Sequence, residues 1–244
     1  MTSKDGLPKS THEMIENLKV IAFDADDTLW DNEPYFQQVE RDMCAVLSPY
    51  ADAETVSKSL FETEMGNMAD YGYGAVAFTL SLVENACKVS QGKVKPDEIL
   101  QIISLGKTLM HLKATPLTGV TETMQALKDS GKYQLVLFTK GELLTQEHKL
   151  QRSGLEPFFD KVVIVSDKKR PQYQQLCKEL GIQPSELMMV GNSLKSDIQP
   201  ALEIGAWGVF IPYEVMWQHE VIEHFEHERM IKISRFEELK QVLL

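Results

Sequence analysis

Apolar residues along this chain form two kinds of pattern. Five short runs are apolar at nearly every position: 18–23 (LKVIAF), 133–138 (YQLVLF), 161–165 (KVVIV), 186–190 (ELMMV) and 207–211 (WGVFI). Runs of that length, apolar on both faces, predict strands of a parallel sheet covered by helices on both sides. Between the later runs lie GELLTQEHKLQRSG, PQYQQLCKELG and SDIQPALEIGA, which read as helices, with Gly154, Gly181 and Gly205 placed where helices stop. Strand and helix alternate, which predicts βαβ units and an α/β fold with a Rossmann-like, doubly wound parallel sheet as its core.

The first two runs are too far apart for one crossover. The intervening EPYFQQVERDMCAVL, AETVSKSLFETEMG, AVAFTLSLVENACKV and PDEILQIISLGKTLMH read as helices, punctuated by Pro49, Gly66, Gly72, Gly74, Gly92 and Pro96. The predicted organisation is a core of residues 1–32 and 116–244 carrying an inserted all-helical subdomain, 33–115. Near the end, Ser234 and Glu237 of SRFEEL have the spacing of a capping box for a last helix.

Ligands of open parallel sheets bind beyond the carboxyl ends of the strands. The first four predicted strands carry polar residues there: Asp24, Asp26, Asp27 and Thr28 after the first, and Thr139, Lys140 and Gly141 after the second. Ser166, Asp167, Lys168 and Lys169 follow the third, and Gly191, Asn192, Ser193 and then Asp197 the fourth. Crowded carboxylates repel each other and resist losing water, and a bound cation is the commonest compensation. The set suits phosphoryl transfer through an aspartyl-phosphate. A carboxylate nucleophile needs a metal to offset repulsion by phosphate, and a second carboxyl two residues on can protonate the leaving oxygen and later activate water. The Thr139 hydroxyl and the Lys140 backbone N–H can donate to phosphate oxygens. A lysine at the third strand end can hold the nucleophile and the transferring group, and acids at the fourth can complete a metal site.

FDADDTLW resembles the D-x-D-x-T signature of the haloacid-dehalogenase-like hydrolases, LVLFTKG their second motif, and MMVGNSLKSDI their fourth, usually G-D-x-x-x-x-D. The resemblance covers residues 18–32 and 116–212, and it implies that the helical insert is a C1-type cap. It further implies a Mg²⁺-dependent phosphatase acting on a small phosphorylated metabolite. Asp24 would be nucleophile and metal ligand, and Asp26 the acid/base with its backbone carbonyl on the metal. Thr139 and Lys140 would bind phosphate, and Lys168 would be the motif-three lysine, with Lys169 as the alternative because SDKKRP lacks the usual K-P pair. Asn192, where relatives most often have Asp, and Asp197 would complete the metal site. Asp26 argues against a dehalogenase or a phosphate-transfer ATPase of this fold. A phosphomutase, and a catalytically degenerate binding or regulatory protein, remain as alternative readings.

Composition narrows this further. The chain has 244 residues, 43% apolar, enough for a sizeable core, and a net charge of −11, which argues against a general nucleic-acid binder. Cys44, Cys87 and Cys177 are far apart and form no C-x-x-C pair, so they read as reduced packing residues. The polar N-terminus has no apolar segment of a signal peptide, and no stretch approaches the ~18 apolar residues of a membrane span; the expectation is a cytoplasmic protein without a membrane partner. WQHEVIEHFEHERM, with His219, His224 and His227, matches no ligand spacing and reads as a charged surface segment. Tyr71 and Tyr73, flanking Gly72, read as a helix–helix turn.

Overall fold

The computed structural model describes Ile15 and residues 17–244. It divides into two compact units. One comprises residues up to Asp31, Thr115–Lys140 and Ser153–Leu244; the other comprises Asn32–Ala114 and Gly141–Arg152.

The first unit is built on a parallel sheet of β1 (Val20–Phe23), β2 (Gln134–Lys140), β3 (Lys161–Val165), β4 (Leu187–Gly191), β5 (Trp207–Phe210) and β6 (Met230–Lys232), in the order β3-β2-β1-β4-β5-β6. Val20 pairs with Gln134 on one side and Leu187 on the other, so β1 is central and buried along its length. Side chains alternate across the pleat. Val20 and Ala22 join Val136, Phe138, Leu187 and Met189 against Tyr173, Leu176 and Cys177 of the helix Arg170–Leu180. Phe23 points to the other face and stacks on Phe236, ring centroids 6.0 Å apart. Successive strands run from β1 to β3 on one side and from β4 to β6 on the other. The direction therefore reverses between β1 and β4, where a doubly wound sheet opens a crevice at its carboxyl edge.

The second unit is helical: α1 (Glu33–Leu47), α2 (Ala53–Tyr71), α3 (Ala75–Val89) and α4 (Pro96–Met110) close on a core that includes Met43, Leu60, Phe78, Leu82 and Ile102. Asp52 caps α2 by accepting from Thr55 N at 2.8 Å. α2 runs through Gly66, where the sequence pattern had placed a break. Helix α5 (Val120–Ser130) belongs to the first unit, and α6 (Leu143–Ser153) follows β2. Residues 141–152, expected in the α/β core, cluster with the helices instead. Long-range contacts claim them: Glu142 accepts from Val76 N at 3.2 Å, Lys149 Nζ donates to Asn32 Oδ1 at 3.1 Å, and Arg152 Nη2 donates to Met110 O at 2.9 Å.

Three further details differ from the sequence pattern. The short strand β6 lies in a charged tract whose polarity hid it. The predicted helix after β4 begins as a π-helix, Leu194–Ile198, before α8 (Gln199–Glu203); the preceding helix Arg170–Leu180 is α7. The last helix, α9 (Leu239–Leu243), follows a 3-10 turn and has no side-chain cap, so Ser234 and Glu237 do not form its capping box. Among the described residues no helix is long and apolar enough to cross a membrane.

The α3–α4 contact rests on a glycine. A Cβ on Gly106 would sit 2.1 Å from Thr79 Oγ1, which is itself anchored to Ala75 O at 2.6 Å. Alanine is the better helix former by about 1 kcal/mol, but overpacking a close contact costs about 1–3 kcal/mol. Gly106→Ala is expected to lower the urea midpoint and the melting temperature; a variant as stable as the parent would show that the helices part at no cost.

Candidate active site

The site assembles at the carboxyl edge where β1 and β4 diverge. Asp24 is the first residue beyond β1, its N–H fixed on Val190 O at 2.9 Å. Lys168 follows β3, and its Nζ lies 2.5 Å from both Asp24 Oδ1 and Asp197 Oδ1, with Phe138 O at 3.5 Å. The Lys168 side chain is 1% exposed, that of Asp24 10% and that of Asp197 0%. A buried ammonium is thus held by two buried carboxylates. Burial alone would lower the Lys168 pKa, but Asp197 and Asp24 outweigh it and hold the ammonium well above the usual lysine range. The cluster retains an excess negative charge: burial first, and Asp197 next, push the Asp24 carboxyl up to about 7 against the pull of Lys168.

Asp197 is delivered by the turn after β4. Ser193 caps the π-helix by accepting from Ser196 N at 3.0 Å, and its own N–H donates to Asp197 Oδ2 at 2.9 Å. Gly191 is required here, because a Cβ would lie 2.2 Å from Asp197 Oδ2. The Tyr173 hydroxyl lies 2.9 Å from Asp197 O and 3.0 Å from Ser196 O, pinning the turn from below. With Oδ1 on Lys168 and Oδ2 on Ser193 N, Asp197 is a counter-ion to the lysine. This differs from the expectation that Asp197 ligates a metal.

The opening FDADDTLW segment separates its three carboxylates by task. Asp27 adopts φ +60, a left-handed conformation that Asp tolerates better than most residues, and its N–H donates to Trp30 O at 2.8 Å. That turn brings the Trp30 indole back over Asp26, and Nε1 donates to Asp26 Oδ1 at 2.7 Å. Thr28 Oγ1 accepts from Asn192 N at 3.1 Å and lies 3.1 Å from Asn192 Oδ1 and 3.5 Å from Asp24 Oδ2. Its single proton favours the nearer amide oxygen.

The other expected residues divide. Thr139 is buried at the end of β2, 1% exposed. Lys140 is there too, but its Nζ donates to Ser196 Oγ at 3.0 Å and pairs with Glu220. Lys169 is exposed and pairs with Asp167 at 2.7 Å, so Lys168 and not Lys169 reaches Asp24. Glu220 was missed. It lies in the tract read as a charged surface segment, yet it is buried and accepts from Ser193 Oγ at 2.5 Å and Ser196 Oγ at 2.7 Å. Burial alone would raise its pKa, but Lys140 and the two hydroxyls prevail and hold it at about 2. No periodicity separates Glu220 from its acidic neighbours. Of the histidines, His219 meets Lys195 Nζ at 3.2 Å.

Asp24 Oδ2 and Asn192 Oδ1 share the Thr28 hydroxyl as a neighbour, beside a cluster with surplus negative charge. Uncharged and anionic oxygens of this kind fit a hard divalent cation. Among the described residues no group of three or more His, Cys, Asp or Glu is disposed to hold a metal. Any cation would therefore depend on at most two carboxylates, with amide and carbonyl oxygens.

The family model for haloacid dehalogenase-like hydrolases matches residues 18–205, which span β1 to β4 and the turn that carries Asp197. The chain belongs to that family. A haloacid dehalogenase-like hydrolase of known structure from Xanthomonas campestris superposes with a TM-score of 0.81 at 32% identity, covering 89% of this chain and 87% of that one. A glyceraldehyde 3-phosphate phosphatase from Methanothermobacter thermautotrophicus is 28% identical over 216 residues, 81% of this chain and 87% of its own. An N-acylneuraminate-9-phosphatase from Mus musculus is 34% identical over 77 residues, 30% of this chain and 31% of its own.

In this haloacid dehalogenase-like site the Asp24 charge is tolerated at a cost. Its carboxyl titrates near 7 in the folded chain but near 4 in the unfolded one. The folded state therefore binds more protons across that interval, and stability falls as pH rises through it. In buffer free of divalent cations, Asp24→Asn should melt at a higher temperature than the parent at pH 8, and the difference should close towards pH 4. A difference that is absent at pH 8, or that grows as pH falls, would contradict the assignment of surplus charge to Asp24.

Proposed function

We propose that this chain is a magnesium-dependent phosphatase that hydrolyses a small-molecule phosphomonoester through an aspartyl-phosphate on Asp24. The observation that carries the reading is the buried Asp24–Lys168–Asp197 cluster at the topological switch point. Lys168 orients the carboxylate through Oδ1 and keeps it in place without solvent. Asp24 attacks phosphorus, the ester P–O bond breaks, and the departing oxygen takes a proton from Asp26. Asp26, now a carboxylate, takes a proton from water as that water attacks the phosphoryl group, releasing inorganic phosphate and restoring Asp24. The Thr139 hydroxyl and the Lys140 N–H donate to the phosphoryl oxygens. Magnesium, when bound, supplies the positive charge that lets an anionic phosphate approach a carboxylate. Asp24, the Asp26 backbone carbonyl and Asn192 would hold it.

The names of the relatives support a phosphorylated metabolite of low molecular mass as substrate. The helical unit is proposed as a C1-type cap that selects among such substrates. The three free cysteines suit the reduced cytoplasmic setting included in this reading.

Asp24→Asn should abolish Mg²⁺-dependent turnover of 4-nitrophenyl phosphate, and rapid acid quench should trap no phosphoenzyme. Activity within tenfold of the parent, in a preparation free of contaminating phosphatase, would remove Asp24 as nucleophile.

Asn192 supplies a neutral oxygen where the G-D-x-x-x-x-D motif that this segment resembles has a charge. Asn192→Asp should therefore lower the Mg²⁺ concentration giving half-maximal activity. An unmoved midpoint in a Mg²⁺ titration would take the fourth strand end out of the metal site.

A further inference from the structure

Trp30 is fully buried, yet its one polar atom is spent on Asp26, with Nε1 2.7 Å from Oδ1. The contact is built in by the backbone. Leu29 N donates to Ala25 O at 2.8 Å, Asp27 N donates to Trp30 O at 2.8 Å, and Asp27 takes a left-handed φ to close the turn. Trp30 is also tied across the unit by bridges to Asp26 and to Pro116, and Leu117 N donates to Leu29 O at 2.8 Å. The indole cannot swing away without breaking this lattice. An indole N–H only donates. When Asp26 is protonated, an N–H on Oδ1 favours the acid proton on Oδ2, because a carbonyl oxygen is the better acceptor, so the donor biases which oxygen delivers it.

We propose that Trp30 is a positioning residue for proton transfer: its indole N–H holds Asp26 Oδ1 so that Oδ2 gives the proton to the leaving oxygen and later takes it from water. The proposal rests on the reading of Asp26 as acid/base. Geometric control of a general acid matters most where the leaving group needs its proton. Loss of the donor should therefore discriminate between leaving groups, whereas a merely structural loss would slow all of them alike.

The test is a comparison of phenyl phosphate with 4-nitrophenyl phosphate in Trp30→Phe, Asp26→Asn and the double variant, with Mg²⁺ saturating. Trp30→Phe should lower kcat for phenyl phosphate by about tenfold and for 4-nitrophenyl phosphate by less than about threefold, within the usual range of a general acid. In the Asp26→Asn background it should cost nothing further, the signature of two groups acting as one. If Trp30→Phe does not fold, site-specific incorporation of benzothienylalanine at position 30 keeps the ring shape and removes only the N–H, with the same outcomes expected. Equal losses for both substrates, or a further loss in the Asp26→Asn background, would overturn the role of Trp30. Equal losses in Asp26→Asn itself would overturn the acid reading and this inference with it. Leaving-group dependence in Asp26→Asn but not at Trp30 would overturn the inference alone.

Discussion

A lysine ammonium buried beneath the edge of a sheet must have counter-charges, and in this chain that requirement organises the site. Lys168 Nζ sits between Asp24 and Asp197, which arrive from opposite sides of the switch point between β1 and β4. Removing the lysine would leave two buried carboxylates uncompensated, and a loss of that kind typically costs about 3–5 kcal/mol. β1, β3 and β4 are therefore obliged to end in register. The π-helix after β4, capped by Ser193 and pinned by Tyr173, brings Asp197 inward, and Gly191 leaves it room. π-helical turns are rare, and those that occur are frequently at functional sites.

Most of the sheet was legible because buried parallel strands are apolar on both faces and cannot be disguised. The runs at 161–165 and 207–211 match β3 and β5 to within one residue. The helices of the insert were legible because proline and glycine bound them, as at Pro96. Gly66 misled because a glycine inside a helix looks the same in sequence as one that ends it. β6 was hidden because three residues amid charges leave too short a period to read. Residues 141–152 were misassigned because the contacts that claim them, Glu142 with Val76 and Arg152 with Met110, join positions far apart in the chain.

Within the candidate site, motif position brought the residues forward, and packing separates them. Lys168 and Lys169 are equivalent in sequence, and only burial separates them. Asp197 stood out as an acid near a metal-binding pattern, but its partners make it the lysine's counter-ion. Glu220 could not be found, because its significance lies in Lys140, Ser193 and Ser196, which come from two other strand ends. The crowded acids of FDADDTLW raised the question of what offsets their repulsion. Part of the answer is separation: Asp24 faces Lys168, Asp26 faces the Trp30 indole, and Asp27 is consumed in the turn.

The remaining part concerns charge. The protein carries −11 overall, and the three lysines named at the strand ends are already paired, Lys168 to two carboxylates, Lys140 to Glu220 and Lys169 to Asp167. On the proposed reading, a phosphate dianion must therefore be received by neutral donors such as the Thr139 hydroxyl and backbone N–H groups, next to a cluster that already has surplus negative charge. Neutral donors orient phosphate well, but they do not cancel the repulsion between a dianion and the Asp24 carboxylate. On the same reading a cation brought in from solution is the remedy; burial first, and Asp197 next, push the Asp24 carboxyl up to about 7. Lys168 then has the narrower task of orienting the nucleophile. That explains why it is buried, doubly paired and held charged, where a substrate-binding lysine would stand open to solvent.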